Sequence, residues 1–147
     1  MKRLLTMVVL VIPVIATCIG VSVDANGAFF VDVPLGERWG EMVNGMGEKG
    51  YVVGRPVVDG GREFDPYVGM TRVEAAVVMV RVDGGVGVDP VCEGIFVDMP
   101  CDYWGARWGE EAWRLGLMVP RDGDVFGALD SVTRADLVVL AALGLEG

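Results

Sequence analysis

The chain contains one unit written twice, and that repetition restricts its fold more than any other feature. Phe30-Val31-Asp32-Val33-Pro34 returns as Phe96-Val97-Asp98-Met99-Pro100, and Gly50 returns as Gly116, each displaced by 66 residues. Phe64 and Phe126 are displaced by 62, as are Thr71 and Thr133, so the second copy is four residues shorter between Gly116 and Phe126. A period of roughly 50 residues or more predicts a modular array. A unit of that size buries little apolar surface alone, so the two copies must stack into one core.

Each copy ends in the same way. Thr71-Arg72-Val73-Glu74 and Thr133-Arg134-Ala135-Asp136 both precede an apolar run. A threonine followed three residues later by an acid predicts a capped helix start: the hydroxyl accepts a free backbone N–H and the acid reaches back. Such a cap is worth about 1 kcal/mol. Glutamate closes the box well, and Asp136 is expected to be a shorter, poorer version. The cap does not explain the arginines. A cation at the first helical position sits beside free N–H groups and the positive end of the helix dipole, where an anion is preferred. Two readings follow for Arg72 and Arg134: an acidic ligand held by guanidinium and backbone together, or an ion pair with a neighbouring acid that locks the copies together.

Apolar spacing predicts a helix over 39–49, stopped by Gly50, with Trp39, Met42, Val43 and Met46 on one stripe. Gly40, Gly45 and Gly47 weaken it by up to about 1 kcal/mol each relative to alanine. Residues 55–67 read as loop, and Thr71 opens a buried helix to about residue 82. In the second copy a helix is predicted over 104–115, closed by Gly116, with Trp104, Trp108, Ala112 and Leu115 on one face and Trp113 on the other. A last helix runs from Thr133 to Gly144. Trp39 and Trp104 read either as core residues opening these helices or as stacking surfaces for a sugar. Trp113 either packs against the neighbouring module or offers a platform.

Phe-x-Asp-x-Pro, a tryptophan opening a helix, a closing glycine, Phe in a loop and Thr-Arg-x-acid before an apolar helix together resemble the S-layer homology family. The resemblance covers about residues 29–147. It implies a mainly α fold: two tandem helix-loop-helix modules, 29–84 and 95–147 joined by a linker at 85–94, packed into one helical bundle behind an N-terminal signal or anchor helix. It also implies attachment of an exported protein to the cell wall through an anionic, pyruvylated wall polysaccharide. Arg72, Arg134, Trp39, Trp104, Asp32 and Asp98 would then line the grooves between repeats. The family commonly uses three modules in a pseudo-threefold arrangement, and two are written here.

Lys2 and Arg3 precede an apolar stretch over 4–23, and Val23-Asp24-Ala25 has the spacing of a cleavage site. A cleaved secretory signal, an uncleaved membrane anchor and a lipid attached at Cys18 all fit, and all three export the chain to the cell surface. The whole sequence has 12 basic and 21 acidic residues; without Lys2, Arg3 and Asp24 this becomes 10 and 20. An acidic surface disfavours nucleic acid and anionic lipid, leaving the membrane as a partner only through the leader. Cys92 and Cys101 read as a disulfide in an exported protein or as two reduced thiols.

The available chemistry is narrow. There is no histidine, and beyond the leader only one serine, Ser131, and one lysine, Lys49. Triads, Cys-His pairs and histidine zinc sites are therefore excluded. Asp32 and Asp98 could form a hydrolytic carboxylate pair, but a short acid before a turn is ordinarily a loop brace. Asp122 with Asp124, and Asp59 with Glu63 and Asp65, lack the ligand count of a calcium loop, and no phosphate cradle is present. The expectation is a non-enzymatic protein without cofactor or metal. It would bind wall polysaccharide, with a homo-oligomer or further modules of the same kind as candidate partners. The alternative is a membrane-tethered structural or interaction module that binds no glycan.

Overall fold

Among the described residues the helices fall in the order the repeat predicts, two in each copy, with a two-stranded ribbon in the first. The computed structural model describes residues 28–143; the predicted leader and the stop at Gly144 lie outside them. Helix α1 spans Arg38–Glu48, strands β1 and β2 span Arg55–Pro56 and Arg62–Glu63, and helices α2, α3 and α4 span Arg72–Gly84, Ala106–Arg114 and Arg134–Leu143. The ribbon lies within the stretch read as loop, with Arg55 opposite Glu63 in antiparallel register. It is closed by Gly60 at φ 89°, a conformation that Asp59-Gly60-Gly61 makes accessible. No helix among the described residues is long and apolar enough to cross a membrane.

Both helix caps form. Thr71 N–H donates to Glu74 Oε2 at 2.8 Å and Glu74 N–H donates to Thr71 Oγ1 at 3.4 Å. Thr133 N–H donates to Asp136 Oδ2 at 2.8 Å and Asp136 N–H donates to Thr133 Oγ1 at 3.3 Å. The shorter acid closes the box as well as glutamate does, which corrects the expectation of a poorer cap. Helix α3 begins at Ala106, two residues later than the spacing predicts. Trp104 stands in the preceding turn, because α2 presses onto Gly105 here: a Cβ on Gly105 would lie 2.2 Å from a Val73 methyl.

The internal geometry repeats along with the letters. Asp32 accepts the backbone N–H groups of Phe64 (2.8 Å) and Asp65 (2.7 Å). Asp98 accepts those of Phe126 (2.8 Å), Gly127 (2.9 Å) and Ala128 (3.0 Å). Asn44 Oδ1 receives the N–H groups of Phe29 and Phe30 at 2.9 and 3.0 Å. Its counterpart is Glu110, fully buried, which receives those of Glu93 (2.6 Å) and Ile95 (2.8 Å). Gly47 is required because a Cβ there would fall 2.3 Å from the Phe29 ring. At the counterpart positions of the second copy the sizes are exchanged, Ile95 standing for Phe29 and Trp113 for Gly47.

The main core does not respect the sequence repeat. Val73, Ala76 and Val80 of α2 are buried together with Phe96, Met99, Ala106, Trp108, Ala112, Met118 and Phe126 of the second copy. The first copy retains a smaller cluster of Phe29, Phe30 and Val33, flanked by Val43, Val52 and Phe64. Residues assigned to the linker, Val88 and Cys92, pack against the main core. The sulfurs of Cys92 and Cys101 are bonded, with Cα atoms 5.7 Å apart, and close the loop that passes over Glu110.

Candidate functional site

The two Thr-Arg arginines have opposite fates. Arg72 is completely buried. Its Nε donates to Phe126 O at 3.1 Å, its Nη2 to Val119 O at 2.5 Å, and its Nη1 to the carboxylate of Asp136. The guanidinium also lies 5.1 Å from the centre of the Phe126 ring. Around it the backbones join as well, with Arg72 N–H donating to Asp130 O (2.9 Å), Val73 N–H to Ala128 O (3.1 Å) and Val132 N–H to Met70 O (3.1 Å). Arg72 therefore presents nothing to a ligand and fastens the first copy to the second. A fork of donors facing two carbonyls and a carboxylate suits arginine and no other cation.

Asp136 is shared. Arg121 Nη2 reaches it at 3.1 Å while Arg72 approaches from the other side. Burial pushes its carboxyl upward, but Thr133 and Arg72 outweigh that and hold it at about 2. Arg134, by contrast, is exposed and makes no hydrogen bond or ion pair among the described residues.

Two depressions occupy the same place in the two copies. The larger, about 550 Å³, is lined by Tyr51, Val53, Arg55, Phe64, Glu74, Arg81 and Trp104 among others. The smaller, about 230 Å³, is lined by residues 117–121 with Ala135 and Asp136. Residues 51–55 and Glu74 are the counterparts of 117–121 and Asp136, at the displacements of the repeat. Within the larger groove Arg55 is tied to Glu63 (3.0 Å) and Asp65 (2.9 Å). Arg81 has no carboxylate within ion-pair distance among the described residues; it lies 5.2 Å from the centre of the Trp108 ring, and burial lowers its pKa. Trp104 is 56% exposed at the rim. The groove thus combines an unneutralised guanidinium, an open indole and a tyrosine, a set able to stack on a sugar ring and pair with an acid carried by it.

The remaining predicted site residues fall elsewhere. Asp32 and Asp98 spend their oxygens on the backbone of residues 64–65 and 126–128, so neither is disposed to bind a ligand or to act as a hydrolytic acid. The N–H donors of that loop also outweigh burial and lower the Asp98 pKa. Trp39 is partly exposed and its Nε1 donates to Glu37 at 2.6 Å, away from the groove that Trp104 lines. Trp113 packs edge-on to Phe96 of its own module, ring centres 5.8 Å apart. Cys92, Cys101 and Glu110 are close enough to hold a metal ion, but the disulfide occupies both sulfurs.

Sequence reasoning overlooked Arg81 and the pair Arg55 and Arg121. The second omission was avoidable, since both arginines stand 66 residues apart like the other repeated positions. Arg81 carries no such signal, being one charge at the end of an apolar helix. No family model matches the chain, and no curated protein matches it by sequence.

Proposed function

We propose that the protein is a non-catalytic cell-surface anchor whose modules, similar to S-layer homology modules, bind an anionic, pyruvylated wall polysaccharide. The observation that carries this reading is the groove of the first copy, where Arg81 has no carboxylate partner among the described residues and stands with the exposed Trp104. Its volume of about 550 Å³ falls in the range of small-ligand sites. Arg81 would pair with the acid of the sugar while Trp104 stacks on its ring. The acidic surface would repel the polymer at long range, so binding has to be short-range and local, and weak for a single groove.

Retention on purified wall tests the reading. Trp104→Ala and Arg81→Ala are expected to lower retention about tenfold each, the effect of losing about 1.4 kcal/mol, and removal of the acidic sugar substituent should do the same. Undiminished retention of the double variant would refute it. The second reading, a tethered interaction module that binds no glycan, is favoured by the sealing of Arg72 against Asp136. Under that reading wild type itself is not retained.

A further inference from the structure

The seat that holds Arg72 exists twice, and among the described residues one of the two is vacant except at a single carbonyl. In the second copy it consists of Val119 O, Phe126 O and the Asp136 carboxylate. The counterparts in the first copy, at the repeat displacements, are Val53, Phe64 and Glu74, and all three line the larger groove. Glu74 is exposed, bonded to its own Thr71 and to no cation among the described residues. Val53 O accepts instead from the chain's own Arg62 Nη1 at 2.9 Å, a guanidinium from another direction.

The matching plug is also vacant. Arg134, counterpart of Arg72, is exposed, and the first turn of its helix leaves open the positions that α2 buries. Ala76 is fully buried, whereas its counterpart Val138 is 68% exposed. Val73 is buried and its counterpart Ala135 is exposed. The receiving helix shows the same contrast: Trp108 is 9% exposed under α2, and its counterpart Met42 on α1 is 65% exposed. Even the closest contact has a counterpart of exchanged size, since Val73 presses on Gly105 and the matching pair is Ala135 with Trp39.

We propose that the Thr133-Arg134 start of α4 docks into the Val53, Phe64 and Glu74 seat of a second copy of this chain, with α4 lying across that copy's α1 as α2 lies across α3. The occupant is a second copy because plug and seat are already mated once inside the molecule by the same residue types. The charges agree at one point: a guanidinium without a partner among the described residues meets Glu74, the carboxylate of the groove that Arg55 does not hold, Glu63 and Asp65 being tied to Arg55. The contact is heterologous, plug and seat being different surfaces, so it generates a closed ring or an open chain of copies. It goes beyond the polysaccharide reading and does not depend on it. Glu74 and Arg81 lie seven residues apart on α2, about 10 Å along its axis, so a docked arginine and a bound sugar use different stretches of the groove.

Sedimentation equilibrium of the purified protein over a concentration series, without wall polymer, tests this. Wild type is expected to self-associate. Arg134→Glu and Glu74→Arg should each weaken association at least about tenfold, and the variant carrying both should recover it. Circular dichroism should stay unchanged for Arg134→Glu, which loses no hydrogen bond or ion pair among the described residues. Glu74→Arg also opens the Thr71 box, a loss small enough to leave the fold intact, and recovery of association by the double variant separates that effect from the lost contact. A wild type that is monomeric up to about 100 µM, an Arg134→Glu variant that associates undiminished, or a double variant that fails to recover overturns the proposal. Arg81→Ala should leave association intact while lowering wall retention, which separates a failure of this inference from a failure of the glycan reading.

Discussion

Replacing Arg72 and Arg134 by alanine should give opposite results although the two residues share one motif. Arg72→Ala removes a fully buried guanidinium from the Asp136 carboxylate and from the carbonyls of Phe126 and Val119. Removing one partner of a buried pair costs about 3–5 kcal/mol because the other charge is left uncompensated. Here Asp136 keeps Arg121 and Thr133, which softens that term. The two carbonyls lose donors at about 1 kcal/mol each, which restores it. The sum is about 4 kcal/mol, a large part of the 5–15 kcal/mol that holds a typical domain. In urea, with a slope near 2 kcal/mol per molar, the midpoint should fall by about 2 M. Arg134→Ala, at an exposed position without a partner among the described residues, should stay within about 0.5 kcal/mol of wild type. Arg72→Lys, keeping the charge and losing the fork, should fall between them. Equal midpoints for the two alanine variants would refute the strut.

Two further outcomes are expected. Asp136 has a folded pKa of about 2, below the unfolded value of about 3.9. Its contribution is therefore complete above about pH 4 and is lost as pH falls toward 2, a dependence that Asp136→Asn should flatten in acid unfolding curves. Gly45→Ala on α1, where an added Cβ meets nothing within 4 Å, should raise stability by about 0.5–1 kcal/mol, whereas Gly47→Ala, driven into the Phe29 ring, should lower it; thermal melts of both distinguish the two glycines.

The local signals in the sequence were sufficient for what is local. Thr71 and Thr133 cap helices where the spacing of threonine and acid places them, and Gly50 and Gly116 turn the chain with φ of 77° and 73° after α1 and α3. What depended on partners distant in the chain was not legible. Nothing in Thr-Arg-x-acid distinguishes Arg72, sealed against residues 119, 126 and 136, from Arg134, which is open to solvent. The difference is that the second copy packs over the first arginine. The same blindness placed Asp32 and Asp98 among candidate ligands: their oxygens are spent on backbone N–H groups about 30 residues away, and periodicity does not reveal that. Trp104 was placed within a helix because its spacing to Trp108 is helical, whereas the pressure of Val73 on Gly105 delays the helix by two residues.

Because α2 lies inside the core of the second copy, the stretch that was duplicated and the stretch that packs as one core are out of phase. Cutting between the copies, at the seam a gene would show, strips α2 of the apolar bed it rests on and leaves Phe96, Met99 and Trp108 wet. Each half alone is then a sticky fragment, and shuffling such segments between genes succeeds only when a neighbour with a compatible bed comes along.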